Sequence, residues 1–243
     1  MNPAATASAR DTILARIREA LRVPAPLPHM QSHATEAVAA SGPAGLTILP
    51  AEVARQWLPE GGETPDERLA ILVENLRKLR AEVHRAADLT AAAGLVAGIA
   101  ATRGWQRVAW HGHAAVEPVA AALGCETCRV DSGAFDKNGL EGCDAGITAC
   151  EAAVAQTGSI LVSSATCGGR ALSILPHVHI VIVALDQIVA TLGDALDELR
   201  TRHAGRIPSM LSFITGPSRT GDIERILVLG AHGPKELVVI LVG

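Results

Sequence analysis

Two polar stretches that contain glycine follow apolar runs in the second half of this sequence. "SSATCGGRALSILP" comes after "GSILV", and "TGPSRTGDIE" comes after "SMLSFI". Glycines let a backbone close on a ligand, hydroxyls and amides donate to oxyanions, and an arginine fork grips carboxylate or phosphate. Both stretches therefore predict binding of a small anion, and the alternative is that their glycines only turn the chain. The candidate binding residues are Ser163, Ser164, Gly168, Gly169, Arg170, Thr215, Gly216, Ser218, Arg219, Thr220 and Asp222.

The second stretch has the composition of a helix start. Ser218 or Thr220 is the predicted cap, and the unpaired amides of the first turn, together with the helix dipole, would stabilise a bound anion. In the alternative, Asp222 and Glu224 complement the dipole themselves and nothing binds. His232 lies in a third polar loop, "LGAHGPKE", and is the candidate general acid or base because histidine titrates near neutrality. A hydrogen-bonded turn histidine is the alternative.

Metal chemistry is predicted to be absent from this chain. His177 and His179 alternate along "HVHIV" and share a face, without a third ligand to complete a site. Cys125 and Cys128 in "CETC", near the two histidines of "WHGH", form the one pattern with zinc-like or redox spacing. A lone CxxC is more typical of two partly buried thiols, and iron–sulfur clusters require several grouped cysteines. We expect no cofactor in this chain.

Composition excludes several classes of function. The net charge of −4 and the 2% aromatic content argue against nucleic-acid binding, which needs a basic field or stacking platforms. No apolar run approaches the roughly 20 residues of a membrane span, and arginines interrupt the first apolar pattern, unlike a signal peptide. Five scattered cysteines fit a reducing compartment. The expected location is the cytoplasm.

The elements that must position these residues alternate between strand and helix. Helices are predicted over 9–21, from Thr64 onward with Pro65 in its first turn, over 90–102, 115–123 and 189–202, and in the short segment "EAAVAQ". Nearly continuous apolar strands lie between them, which favours a layered, mostly parallel sheet covered by helices on both faces. Ligands bind beyond the carboxyl ends of such strands, so the three polar loops are expected to converge there.

Two parts are predicted along the chain. Residues 1–63 form an arm with one amphipathic helix and a linker rich in proline, glycine and alanine, and residues 64–243 form the α/β domain. The helix is suited to docking on a partner, on a second copy of the chain as a homo-oligomer, or on its own domain.

The stretches "QTGSILV", "GRALSILPHVHIVIVALDQIV" and "PSMLSFITGPSRTGDIERILVLGAHGPKELVVILV" resemble the lactate utilization protein C family, whose shared module is the LUD domain. The resemblance implies a fold similar to the ribose-5-phosphate isomerase, glucosamine-6-phosphate deaminase and CoA-transferase group. It also implies a role in oxidising L-lactate to pyruvate, with two partner proteins that carry the iron–sulfur clusters. Members of that fold group that transfer acyl groups use a glutamate near a strand end. In this chain Gln156 precedes the strand of "QTGSILV", and Glu151 is expected a helical turn or more away. CoA transfer is therefore not expected.

The sequence leads to one preferred hypothesis and two alternatives. The preferred hypothesis is an accessory subunit of a cytoplasmic lactate-oxidising complex, which works with iron–sulfur subunits and binds a small anionic metabolite. The first alternative is a stand-alone enzyme acting on a phosphorylated small metabolite. The second is a structural or regulatory binding protein that recruits its partners through the N-terminal helix.

Overall fold

The computed structural model describes residues 9–20, 22, 58–131, 136–223, 226–230 and 233–243. The chain divides into two units, Met1–Trp57 and Leu58–Gly243. In the first unit, helix α1 covers Ala9–Ala20, which confirms the predicted opening helix. The predicted linker lies mostly outside the described residues, so the domain boundary at residue 63 stays a prediction.

The second unit alternates strands and helices. Its helices are α2 (Pro65–Lys78), α3 (Leu89–Arg103), α4 (Glu117–Ala121), α5 (Lys137–Glu141) and α6 (Leu192–Arg202). Its strands are β1 (Glu82–Ala86), β2 (Arg107–Trp110), β3 (Glu126–Arg129), β4 (Ala145–Thr148), β5 (Ala152–Val154), β6 (Ser159–Ser163), β7 (Val178–Ala184), β8 (Ile188–Val189), β9 (Leu211–Ile214), β10 (Arg219–Ile223), β11 (Ile226–Leu229) and β12 (Glu236–Val242).

Helix α2 begins as the sequence predicts. The Thr64 side chain accepts a hydrogen bond from the Glu67 backbone N–H, the Glu67 carboxylate accepts one from the Thr64 backbone N–H, and Pro65 opens the first turn. Leu72 and Leu76 lie on the buried face of this helix. The capping residues and the hydrophobic spacing therefore both predict this helix correctly.

A six-stranded parallel sheet forms the centre of this unit, in the order β1-β12-β7-β4-β2-β3. The side chains of β7 alternate between its two faces. Ile180 and Ile182 pack in a cluster that includes Val96 of α3, whereas Val181 and Val183 pack in a second cluster with residues of α2 and β6. The mostly parallel sheet flanked by helices is thus confirmed, and its likeness to the isomerase and CoA-transferase group stays a prediction.

A second sheet corrects the helix predicted for "EAAVAQ". Residues Ala152–Val154 are strand β5, and the sheet order is β8-β5-β6-β9. Alanine favours helix in isolation, but tertiary packing overrides propensity here. Ala153 is buried against the α2 side, and Ala152 and Val154 are buried against α6. Gly158, with φ of +65°, turns the chain so that β6 pairs antiparallel with β5.

The helix predicted to begin in "GPSRTGDIE" is also wrong. Residues Arg219–Ile223 are strand β10, which pairs antiparallel with β11. The apolar run Ile226–Leu229, which includes the β-branched residues Ile226 and Val228, supplies the partner strand. Hydrogen bonds between the two strands then satisfy the backbone groups that a helix would pair internally. No helix N-terminus lies within 219–223 to receive an anion.

Gly146, in the middle of β4, makes room for the segment that crosses this face of the sheet. A Cβ atom at this position would lie 2.7 Å from the Leu172 carbonyl oxygen and 3.0 Å from Cγ of Pro176. We expect Gly146→Ala to lower the free energy of unfolding by about 2 kcal/mol, as overpacking of a buried site does. Gly98→Ala is the matched control, because Gly98 is exposed in α3 and the added Cβ would meet nothing within 4 Å beyond its chain neighbours and the backbone of its own helix. Helix propensity predicts that this control gains about 0.5–1 kcal/mol, and equal urea midpoints for the two variants would contradict the crowding at β4.

Candidate functional site

The two predicted anion-binding stretches do not converge. Strand β6 pairs antiparallel with β9, so that Ser163 lies opposite Leu211 and Ile160 lies opposite Ile214. The loop after β6 and the loop after β9 therefore leave the second sheet at opposite ends. The expected convergence is wrong because the strands before these loops belong to an antiparallel pair, not to the parallel sheet.

The stretch after β9 lies near the amino-terminal edge of the parallel sheet. The Ser218 N–H donates to the Pro234 carbonyl oxygen, and the Lys235 N–H donates to the carbonyl oxygen of His177, just before β7. Arg219 Nη2 donates to the Leu79 carbonyl oxygen at 2.7 Å, just before β1. These contacts fix the stretch at the edge opposite to the one where parallel sheets usually bind ligands, and its anion binding stays a prediction.

The remaining predicted residues of this region have varied surroundings. Thr215 Oγ1 lies 2.8 Å from Ser159 Oγ, and Gly216 has φ of +85° beside Leu79. The side chains of Thr220 and Asp222 in β10 lie outside the described part of the chain, as does His232. Their predicted roles stay predictions.

The stretch after β6 does lie at the carboxyl edge of the parallel sheet. The Thr166 carbonyl oxygen accepts a hydrogen bond from the N–H of Ala149, which follows β4. The Gly168 backbone packs against the side chain of His111, which follows β2. Gly168 and Gly169 have φ of +60° and +98°, and Arg170 is exposed. Among the described residues, no acceptor pairs with the backbone N–H groups of residues 168–170.

The two serines of this loop are already engaged with protein atoms. Ser163 is buried, and its Oγ donates to Glu151 Oε1 at 2.5 Å and accepts from the Ala165 N–H. Ser164 Oγ accepts from Ser209 Oγ at 3.3 Å. The part of the loop open to a ligand is therefore Gly168–Arg170.

A buried carboxylate that the sequence analysis did not select occupies the centre of this region. The side chain of Glu151 is 2% exposed and binds three side chains: Ser163 Oγ, Arg202 Nη1 at 2.9 Å and His203 Nε2 at 3.1 Å. Arg202 ends α6, so the cluster joins that helix to β6. Burial raises the pKa of Glu151, but the hydrogen bonds from Ser163, Arg202 and His203 outweigh it and hold the pKa below its ordinary value. Glu151 is therefore ionised at neutral pH.

A pocket of about 520 Å³ opens beside Glu151 at the carboxyl ends of the parallel strands. The lining of this carboxyl-edge pocket includes six polar residues, namely His113, Glu151, Thr166, Asp186, Gln187 and Arg202. Small and aliphatic side chains form its apolar wall, including Leu89, Ala115, Ala149, Ile182, Ala184 and Val242. The position matches the place where parallel α/β sheets bind ligands.

Two histidines follow β2 at this edge. Nδ1 of His113 accepts from the Ala115 N–H at 3.2 Å, which leaves the ring proton on Nε2. Burial lowers the pKa of His113, against the charge of Glu151, which raises it. His111 is buried, and burial followed by the neighbouring His113 lowers its pKa. Both rings are therefore neutral donors or acceptors near pH 7.

The predicted thiols and histidines elsewhere form no ligand set in the described ranges. Cys125 and Cys128 are unbridged and half-buried, and burial raises the pKa of Cys125. His177 is exposed, whereas His179 is buried with Nε2 2.8 Å from Thr148 Oγ1. No group of three or more His, Cys, Asp or Glu residues in those ranges is placed to hold a metal ion.

Comparison with known proteins connects this geometry to a family. The family model of the LUD domain matches residues 69–242. This chain belongs to the LUD domain family. The match covers the six-stranded and four-stranded sheets and the carboxyl-edge pocket, so the site lies wholly within the LUD domain.

Curated relatives of this LUD domain protein have the name lactate utilization protein C. The chain is 40% identical to the one from Deinococcus radiodurans over 105 residues, which is 43% of this chain and 49% of the relative. It is 38% identical to those from Shouchella clausii and Bacillus subtilis over 100 and 114 residues, which are 41% and 46% of this chain and 44% and 48% of the relatives. The alignments span about half the length of these relatives.

A solved structure also resembles this LUD domain protein. The crystal structure of a DUF162 family protein from Deinococcus radiodurans superposes with a TM-score of 0.58 at 28% identity, covering 75% of this chain and all of that one. Across the described segments, no helix has the length and apolar character to cross a membrane.

Proposed function

We propose that this chain serves the oxidation of L-lactate to pyruvate as an accessory subunit. In this proposal it works in the cytoplasm, holds no cluster itself, and associates with partner proteins that carry iron–sulfur clusters. The observation that supports the proposal is membership of the LUD domain family together with relatives named lactate utilization protein C.

We further propose that the chain binds a small anionic metabolite at Gly168–Arg170. Three consecutive backbone N–H groups without a protein acceptor in the described ranges support this assignment, because unpaired donors on successive residues form anion-binding concavities. The exposed guanidinium of Arg170 adds a fork suited to carboxylate or phosphate. Arg219 is a weaker candidate because Leu79 already engages it.

The lactate role is tested by growth of the native host. A strain that lacks this chain should fail to grow on L-lactate and should recover with the full-length chain. Tagged full-length chain should co-purify with iron–sulfur proteins that reduce a dye with lactate under anaerobic conditions. Lactate-dependent dye reduction by the purified chain alone would contradict the accessory role, and normal growth of the deletion strain would contradict the link to lactate.

The anion site makes a separate prediction. Arg170→Ala should weaken binding of L-lactate, pyruvate or phosphate, whichever the wild-type chain binds in calorimetry, by about tenfold, which is typical of one lost charge-assisted hydrogen bond. Arg219→Ala is the matched control from the other predicted stretch and should leave the affinity unchanged. The reverse ranking would place the anion at the amino-terminal edge instead.

A further inference from the structure

The carboxyl-edge pocket has features that the proposed anion site at Gly168–Arg170 does not use. Its volume of about 520 Å³ is large enough for a molecule of intermediate size, since pockets of about 300–1,000 Å³ bury drug-sized ligands. Lactate and pyruvate, with three carbons each, would fill only a small part of it. The pocket therefore suits a larger ligand.

The apolar wall identifies one part of that ligand. Leu89 begins α3, Ile182 lies within β7 and Val242 ends β12, and the small side chains of Ala115, Ala149 and Ala184 also line the pocket. None of these side chains offers a hydrogen bond, so a polar body such as a sugar would lose its hydration without compensation. Apolar carbon atoms would instead gain from burial.

The polar residues of the lining identify the other part of the ligand. His113 offers an N–H at Nε2, because its Nδ1 already accepts from Ala115. Nη1 of Arg202 already donates to the carbonyl and carboxylate oxygens of Glu151. Nη2 lies 3.7 Å from Glu198, beyond hydrogen-bond distance, so it can still donate to a ligand. Both residues line the carboxyl-edge pocket together with Glu151, so each contributes a donor to its polar lining.

The charge of the pocket limits what that acceptor group carries. Glu151 and Asp186 are acidic, and Arg202 is the one arginine in the lining. A dianionic phosphate would meet repulsion that a single guanidinium does not offset. A single carboxylate brings one negative charge where a phosphate dianion brings two, so it meets less repulsion from Glu151 and Asp186, and Asp186 is exposed to solvent.

From this arrangement, we propose that the carboxyl-edge pocket binds a monocarboxylic acid with an apolar body larger than lactate. The carboxylate accepts hydrogen bonds from Arg202 and His113, and the carbon body packs on the apolar wall. This inference goes beyond the lactate role and the anion site at Gly168–Arg170, and it holds whether or not growth on lactate requires this chain.

The test is calorimetric titration of the full-length chain with acetate, butyrate, hexanoate and octanoate, and with L-lactate and hexanol for comparison. Affinity should rise about fourfold for each added CH₂ until the pocket is filled, as apolar burial predicts. Hexanoate should bind more tightly than both lactate and hexanol. Affinity that is flat across the series, or lactate binding as tightly as hexanoate, would overturn the proposal.

Two variants test the assigned donors. Arg202→Gln should weaken hexanoate binding at least tenfold and leave hexanol unaffected, whereas Arg200→Gln on the same helix should change neither. Because Arg202 also supports Glu151, His113→Leu provides a second variant that keeps that cluster intact. It should weaken hexanoate binding about fivefold, with the exposed His177→Leu as its control. Unchanged hexanoate affinity in both donor variants, with folding verified by denaturation, would also overturn the assignment.

Discussion

We expect Glu151→Gln to lower the free energy of unfolding by about 2 kcal/mol at pH 7. This is typical of removing a buried, hydrogen-bonded charge when its partner, here Arg202, stays in contact with water. The amide cannot accept from Ser163, Arg202 and His203 as two carboxylate oxygens do, and its N–H₂ group would face donors. Glu198→Gln is the matched control. Glu198 pairs with the same Arg202, but its side chain is 45% exposed and its Oε2 lies 3.7 Å from Arg202 Nη2, so its loss should cost less than about 0.5 kcal/mol.

The cost of Glu151→Gln should depend on pH. The folded-state pKa of Glu151 lies below the ordinary value of 4.5, so folding favours the ionised carboxylate. This contribution is fully present above about pH 4.5 and disappears as the pH falls through the folded-state pKa. The free energies of unfolding of wild type and variant, measured by urea denaturation, should therefore converge as the pH is lowered. A difference that stays constant from pH 7 to the acid limit, or equal losses in Glu151→Gln and Glu198→Gln, would contradict an ionised cluster at this position.

The parallel sheet was predictable because its strands carry local information. The runs "HVHIVIVA" and "ELVVILV" are apolar at almost every position, which is typical of strands buried on both faces. They are β7 and β12, the third and second strands of the six-stranded sheet. The start of α2 was equally local, since Thr64, Pro65 and Glu67 satisfy the first turn among themselves.

The second sheet was not predictable in the same way. Ala152–Val154 has a helical composition, and only burial against α6 on one face and the α2 side on the other makes it a strand. The same error hid the candidate site. The helical composition predicts Glu151 on a helix, away from the strand that Gln156 precedes. In the structure the Gln156 side chain donates to the Pro59 carbonyl oxygen, whereas Glu151 lines the pocket.

One signal in the sequence pointed toward Glu151. Glu151 is the one charged residue in "AGITACEAAVA", a run that is otherwise apolar apart from Thr148. A charge inside such a run must be paired when the run is buried, so a partner had to exist. The sequence could not show which one, because Arg202 and His203, at the end of α6, lie 51 and 52 residues further along the chain.

His179 should limit stability on the acid side of neutrality. It is wholly buried in β7, Nε2 bonds Thr148 Oγ1, and Nδ1 has no hydrogen-bond partner among the described residues. Burial lowers the pKa of His179 to about 3 from its ordinary 6.5. Below pH 6.5 the unfolded chain takes up a proton at this position and the folded chain does not, so stability falls with pH until about pH 3. The loss amounts to about 1.4 kcal/mol per pH unit.

The double variant Thr148→Val with His179→Leu removes both partners and the titration together. We expect its free energy of unfolding to equal that of wild type at pH 7, because replacing both members of a buried pair by apolar groups is nearly neutral. At pH 5 it should exceed wild type by about 2 kcal/mol, the proton uptake that only the wild-type unfolded state gains. Thr148→Val alone leaves both ring nitrogens unpaired and should lose about 1–3 kcal/mol at pH 7. The exposed His177→Leu, two residues away, should follow the wild-type pH dependence, and a double variant that does the same would show that His179 titrates equally in the folded and unfolded chain.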